Sequence, residues 1–337
     1  MHALATITLA LAAVVAAQKV GNLVPEQHPQ LSWQKCRISS NGTTSCSTID
    51  AEVVLDAEWR WLRNANSISN CYTGNQWDVA QCNTTASCTS TCALEGADAQ
   101  SYRDGYGITT TGGNTLSQKF VTHAAFSFNV NSRVFLLEPG ETNRYQTFVL
   151  MGSELAFDVE LSSVECAINS ALYFVAMEPD GGMARYPTNE AGASVVTQFG
   201  EDNVKQFFIQ DGKRIETPAA SYPGFPDTSG LSLDYCKSLP TNFQDAEYFA
   251  QVGGYARHNE ALRRPMILTM SISNDHWANN LWLDSTFPPD RAGLPGAERG
   301  PCPSWGNGPA PQEVERYYPN AKVAWSNIRF GPIGTTV

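Results

Sequence analysis

Between Ser153 and Leu161 apolar and polar residues alternate without interruption. Leu155, Phe157, Val159 and Leu161 fall on one face and Glu154, Ala156, Asp158 and Glu160 on the other, the period-two pattern of a half-buried strand. Ala171 to Met177 is apolar on both faces, so a more deeply buried strand is expected there, and Glu178 to Gly182 reads as a turn from its proline and paired glycines. Residues 186–193 then run directly into the strand-like Ser194 to Phe199, with almost nothing between.

Similar short segments recur at Tyr106 to Thr110, Phe120 to Val130, Arg133 to Leu137, Tyr145 to Met151, Met266 to Ile272 and Lys322 to Phe330. Lys205 to Ile209 and Lys213 to Glu216 flank Gln210-Asp211-Gly212, a strong hairpin signal. Trp59 and Trp61 stand two residues apart within Val53 to Leu62, which in an extended strand would put both indoles on one face. Only Ala246 to Leu262 has the makings of a helix, and Gly253-Gly254 interrupts it. Many short strands without alternating helices predict an all-β fold, an antiparallel β-sandwich or jelly roll, in a single domain over residues 18–337.

The first 17 residues are an apolar run closing on small side chains, the pattern of a signal peptide. A secreted chain is therefore expected, and its nine cysteines read as disulfides rather than metal ligands or reactive thiols. Nine is odd, so at least one lacks a partner within the chain. The sequons at Asn41 and Asn83 fit surface glycosylation. Charged residues are 16% of the chain and the net charge is −11, an acidic balance that argues against a nucleic-acid partner. No later stretch is long and apolar enough to span a membrane. A monomer is expected.

The five histidines are scattered without ligand spacing, so no metal is expected. No nucleophile elbow, phosphate loop or dinucleotide fingerprint occurs. What remains is aromatic: tryptophans in polar surroundings, such as Trp59-Arg60-Trp61 and Trp282 beside Asn279 and Asn280, suit stacking on sugar rings while neighbouring amides and acids bind the hydroxyls. Trp325, alternating inside an apolar strand, reads as core. Hydrolysis of a sugar chain also needs two carboxyl groups. Pattern alone offers Asp158 with Glu160, or Glu154 with Asp158, and paired acids on a solvent face usually do no more than solvate it.

Several stretches together resemble the glycoside hydrolase family 7 cellulases of fungi, the cellobiohydrolases and related endoglucanases. They are Leu-Ser-Trp-Gln-Lys-Cys (31–36), Asp-Ala-Glu-Trp-Arg-Trp (56–61), Ala-Leu-Tyr-Phe-Val-Ala-Met (171–177), Asp-Gly-Gly-Met-Ala-Arg-Tyr-Pro-Thr-Asn (180–189), Leu-Trp-Leu-Asp-Ser-Thr (281–286) and Ser-Asn-Ile-Arg-Phe-Gly-Pro-Ile-Gly (326–334). The resemblance implies a concave, concanavalin-like jelly roll with disulfide-stapled loops, a groove for cellulose or another β-1,4-glucan, a retaining mechanism and no cofactor. It implies that Trp59 and Trp61 are sugar platforms at the glycone end, that Tyr173 lies near the nucleophile, that Trp282 and Arg299 serve the product side, and that Arg60 and Arg133 line the groove. Ser273 stands where a further platform tryptophan belongs, and the long loop from Phe287 to Gly300 resembles the cellobiohydrolases. The pairs Cys36–Cys46, Cys71–Cys92, Cys82–Cys88 and Cys166–Cys302 are implied in the same way, with Cys236 left unpaired.

The family's catalytic motif, Glu-X-Asp-X-X-Glu, belongs between Tyr-Pro-Thr-Asn (186–189) and Val-Val-Thr-Gln-Phe (195–199). Here only Glu190 to Ser194 separate them, and the motif occurs nowhere else. A segment is missing near Ala193/Ser194, and by the family pairing the partner of Cys236 went with it. The expectation is a cellulase by descent, with no catalytic residue in the chain as written and hence no hydrolysis. Two other readings stand beside it: a non-catalytic β-glucan-binding protein, and an incomplete copy of a working cellulase.

Overall fold

The computed structural model describes residues 26–73, 76–124, 127–180, 198–210, 213–243, 246–276, 279–303 and 311–336, giving the backbone alone at 208–210 and 213–215. The junction near Ala193/Ser194 lies outside the described residues, as does the expected signal peptide.

Two sheets, antiparallel apart from one strand pair, face each other across one main core. In the first, Val53–Leu55, Ser132–Leu136, Met266–Ser273 and Asn169–Val175 lie side by side, and Thr147–Phe148 pairs with the start of Met266–Ser273. The second is built on the long strand Lys322–Pro332. Ser153–Glu160 and Thr115–Lys119 pair with it antiparallel, and Trp33–Ile38 parallel. Thr44–Ile49 and Ile108–Thr111 extend it.

Alternation decides what each strand buries. Val134, Leu136, Leu268, Met270, Ile272, Leu172 and Phe174 point from the first sheet into the core, meeting Trp33, Leu116, Val323, Trp325 and Ile328 from the second. Phe148 sits edge-on between Trp33, Phe174 and Phe330, with ring centroids 5.1, 5.6 and 4.8 Å away, a geometry that satisfies the ring quadrupoles while filling space. Trp325 is 2% exposed and its Nε1 donates to Gln118 Oε1 at 3.0 Å, as expected of a core indole with a polar handle.

Four disulfides link Cys36–Cys46, Cys71–Cys92, Cys82–Cys88 and Cys166–Cys302, and Cys236 is free. The pairing implied by the resemblance is the pairing found.

Four expectations need correction. The strand Ser153–Glu160 forms, but a bulge between Ala156 and Asp158 breaks its alternation. Val159 and Leu161 consequently lie outside the core, 41% and 44% exposed, while Glu154 is buried; a bulge on a strand with a neighbour on one side turns the face it presents. The extended run through Trp59 and Trp61 also fails. The strand ends at Leu55, and Asp56 caps a 3-10 turn over Ala57–Trp59 by accepting from the Glu58 N–H. Helices are more numerous than expected, since Thr85–Thr91, Leu233–Phe243 and Pro311–Tyr317 are helical. Finally, the helix expected over 246–262 forms in two pieces, Tyr248–Gln251 and Gly254–Leu262. Both Gly253 and Gly254 have positive φ, 106° and 56°, which glycine adopts without steric cost.

Candidate functional site

The first sheet turns its second face away from the core, and the cross-strand register orders that face into rows. Arg133, Ser271 and Ala171 form one row, Phe135, Thr269 and Tyr173 the next, and Ser273 stands opposite Asn169. Arg133 and Tyr173 are thus brought onto one surface from strands 40 residues apart in sequence. Thr269 is fully buried between them, and its hydroxyl has no hydrogen-bond partner among the described residues.

Arg133 is the electrostatic centre of this face. Its Nε donates to Asp56 Oδ2 at 2.6 Å and its Nη2 to Glu58 Oε2 at 3.0 Å, and its guanidinium lies 5.5 Å from the centre of the Trp59 ring. Burial alone would make Arg133 less basic, but the Asp56 carboxylate overrides it and raises the guanidinium above its usual value. Asp56 and Glu58 are therefore already committed to an arginine.

Trp59 and Trp61 have different surroundings. Trp59 packs against the core and its Nε1 donates to the Val130 carbonyl at 3.0 Å. Trp61 is 41% exposed, and its Nε1 donates to Asn70 Oδ1 at 2.5 Å. Beneath Trp61 lies Arg63, fully buried, 5.6 Å from the ring centre and ion-paired with Glu95 at 2.6 Å.

Arg60 does not reach the groove surface. It is 6% exposed; Nε donates to the Leu55 carbonyl, and Nη1 and Nη2 hold Glu26 at 2.6 and 2.8 Å, with Nη2 also reaching Tyr102 Oη at 3.1 Å. Arg60 follows the 3-10 turn with extended backbone, so residues 60 and 61 face opposite ways and residue 60 goes inward while residue 61 emerges. Burial alone would raise the Glu26 carboxyl, but the paired Arg60 holds it below its usual value.

At the other end, Trp282 rides on the short helix Leu281–Asp284, 40% exposed, with its Nε1 3.4 Å from Asp275 Oδ2. Nearby, Asn274 donates to Glu315 Oε1 at 2.9 Å, and His276 Nε2 faces the same oxygen at 3.5 Å. The loop after Trp282 is anchored by Cys166–Cys302 and by the Arg299 N–H to the Ser285 carbonyl at 2.8 Å. Arg299 itself is exposed beside a small cavity bordered by Phe243 and Phe287.

The acids offered by pattern lie elsewhere. Glu154, Asp158 and Glu160 belong to the second sheet, away from Arg133 and Tyr173. Glu154 is 2% exposed and accepts from Gln198 Nε2, Thr336 N and Thr336 Oγ1, each at 2.8 Å, a structural clamp on the chain's last residues. Asp158 accepts from Asn327 and Glu160 from the Ser162 N–H. Sequence reasoning missed the Arg63–Glu95 pair under Trp61, since a charged pair two residues past an exposed tryptophan carries no signal of burial.

The sequence matches Glycosyl hydrolase family 7 over residues 20–201 and again over 193–337. Among solved structures it is similar to the cellobiohydrolase of Melanocarpus albomyces complexed with cellotetraose, at 36% identity and a TM-score of 0.85 over 95% of this chain and 100% of that one. It is also similar to a family 7 cellobiohydrolase from Daphnia pulex, at 28% identity and a TM-score of 0.84 with the same coverage. The endocellulase EGI of Humicola insolens, at 22% identity and a TM-score of 0.76 over 94% of this chain and 100% of that one, shares the fold. A match that runs through both halves of the chain, on a sandwich that superposes throughout, places the protein in glycosyl hydrolase family 7, the cellulases and cellobiohydrolases that hydrolyse β-1,4-glucan.

Proposed function

We propose that this chain is a secreted family 7 protein that retains contacts for β-1,4-glucan but does not hydrolyse it. The observation that carries the proposal is the five-residue separation of Tyr-Pro-Thr-Asn (186–189) from Val-Val-Thr-Gln-Phe (195–199), with no Glu-X-Asp-X-X-Glu anywhere in the chain. Two features support it. The family match divides into two stretches that overlap at residues 193–201, where a segment of the family is expected and absent. The strand Asn169–Val175, which carries Tyr173, pairs with Met266–Ser273 and with no other strand among the described residues, leaving one edge open where a further strand would add.

A retaining glycosidase needs a nucleophile and an acid/base about 5 Å apart across the scissile bond. Asp56 and Glu58, beside the row that Arg133 begins, are ion-paired with Arg133 and are unsuited to either role. Loss of the catalytic pair removes many orders of magnitude in rate. Binding is a separate matter: Trp61 and Trp282 are exposed indoles with hydrogen-bonded ring nitrogens, able to stack on the apolar faces of pyranose rings. Tyr173, Arg133 and Arg299 are the remaining groups assigned to the glucan, and Trp59 supports them from behind. Arg60 is assigned to structure.

The test is a pair of measurements on the purified protein. Incubation with a soluble aryl cellobioside should release no phenol above the buffer rate, and partition onto microcrystalline cellulose should deplete the supernatant. Steady hydrolysis would overturn the absence of catalysis, and a folded protein that stays wholly in the supernatant would overturn glucan binding.

A further inference from the structure

We infer that Arg63 and Glu95 are positioning residues for glucan binding: they brace the Trp61 indole from its inner side, so that it meets a sugar chain on its outer face alone. This rests on the reading of Trp61 as a sugar platform and names what holds the platform still.

Trp61 stands one residue before the strand Leu62–Asn64, and a closed circuit of contacts runs from its backbone to its ring. The Trp61 carbonyl accepts from the Glu95 N–H at 2.8 Å. The Glu95 carboxylate accepts from Arg63 Nε at 2.6 Å, and the Arg63 guanidinium lies over the Trp61 ring, 5.6 Å from its centre. The edge of the indole is tied as well, since its Nε1 donates to Asn70 Oδ1 at 2.5 Å and Asn70 is bridged to Arg63. Arg63 is fully buried while Trp61 is exposed, so the guanidinium takes the inner face and leaves the outer one to solvent. Arg63 Nη1 donates to the Asn64 carbonyl at 2.7 Å, but Nη2 has no hydrogen-bond acceptor among the described residues. A desolvated cation in that state is compensated by the negative face of an aromatic ring.

A buried ion pair can serve the fold alone. Here the fold is held by other means: Leu62, Arg63 and Asn64 pair through their backbones with Leu94, Ala93 and Cys92, and Cys92 is bonded to Cys71. A buried pair is also no more stabilising than apolar side chains of the same size. What Arg63 and Glu95 add is a planar cation under an indole that would otherwise stand in water on one bond. Stacking on a pyranose needs a flat ring with one face free and little freedom left to lose on binding. The circuit supplies both conditions.

The experiment is a double-mutant cycle on cellohexaose binding, measured by titration calorimetry, with folding checked by urea denaturation. The paired variant Arg63→Met/Glu95→Gln removes the cation without stranding a buried charge. It should weaken binding about three- to tenfold when Trp61 is present, and should have no further effect when added to Trp61→Ala, because its influence runs through the ring. Arg63→Lys keeps the pair with Glu95 but cannot lay a planar group against the indole; it should show the same dependence on Trp61 with a smaller loss, and carries the comparison if the paired variant does not fold. Equal weakening with and without Trp61, or none in either background, would make the pair structural only and overturn the inference, with the glucan-binding reading intact. If Trp61→Ala binds as the full chain does, or the full chain binds no glucan, the platform reading fails and the inference with it.

Discussion

Arg133 Nε meets Asp56 Oδ2 at 2.6 Å across two neighbouring strands, and Asp56 is also the cap that turns the chain toward Trp59 and Trp61. One ion pair therefore joins the outer face of the first sheet to the turn that carries Trp59. Asp56 is 4% exposed, so replacing Arg133 with methionine leaves a buried carboxylate with its backbone cap contact but no counter-charge. A loss of about 3 kcal/mol in unfolding free energy is expected, read by urea denaturation. Arg133→Lys should restore part of it, since an ammonium can meet Asp56 but cannot also lay a planar group by Trp59. Equal stability of the methionine variant and the parent chain would show the pair to be dispensable.

A second arginine gives a pH prediction. Arg60 holds Glu26 below its usual carboxyl value. His28, close to both Glu26 and Glu52, is depressed by burial, which the charges of Glu26 and Glu52 only partly offset. In both cases the unfolded chain binds its proton at a higher pH than the folded one. Each contribution is therefore complete above the unfolded value, about 6.5 for His28 and 4.5 for Glu26, and is lost as pH falls through the lower folded value. Stability should decline in two stages on acidification, the first below about pH 6.5. His28→Gln should remove the first stage in denaturation curves at stepped pH, and a decline unchanged by it would assign that stage elsewhere.

How far the sequence reveals this architecture depends on what each segment must satisfy. Asn169–Val175, Met266–Ser273 and Lys322–Pro332 are long strands whose apolar pattern is their whole requirement, and they stand where periodicity puts them. Trp59, Arg60 and Trp61 are different. The 3-10 turn capped by Asp56 packs Trp59 against the core while Trp61 emerges, so the two-residue spacing read as extended chain does not put both indoles on one face. Leu233–Phe243 is hidden by Pro240 inside it, a residue that usually ends a helix. The disulfides became legible through family resemblance, since nine cysteines alone leave many pairings open.

Cys236 offers a direct chemical check. It borders an apolar cavity of about 420 Å³ with Tyr235, Tyr248, Phe249 and Tyr255, and burial pushes its thiol above the usual value. Native alkylation at neutral pH should add one label per chain, more slowly than to an unhindered thiol, and peptide mapping should place it on Cys236 alone. Label on any other cysteine, or none after unfolding without reductant, would contradict the pairing described above.

The same cysteine links the absent chemistry to the gene. By the family pairing, the partner of Cys236 and the catalytic carboxylates belong to one missing segment, so the two losses should be reversed together or not at all. Transcripts sequenced across the codons for Ala193 and Ser194 decide between two proteins. An in-frame insert encoding Glu-X-Asp-X-X-Glu and at least one cysteine would make this chain an incomplete copy of a retaining cellulase. The protein carrying the insert should then hydrolyse an aryl cellobioside and leave no thiol free at Cys236. Transcripts joined as written would leave the chain with Trp61 and Trp282 exposed and with no Glu-X-Asp-X-X-Glu in its sequence.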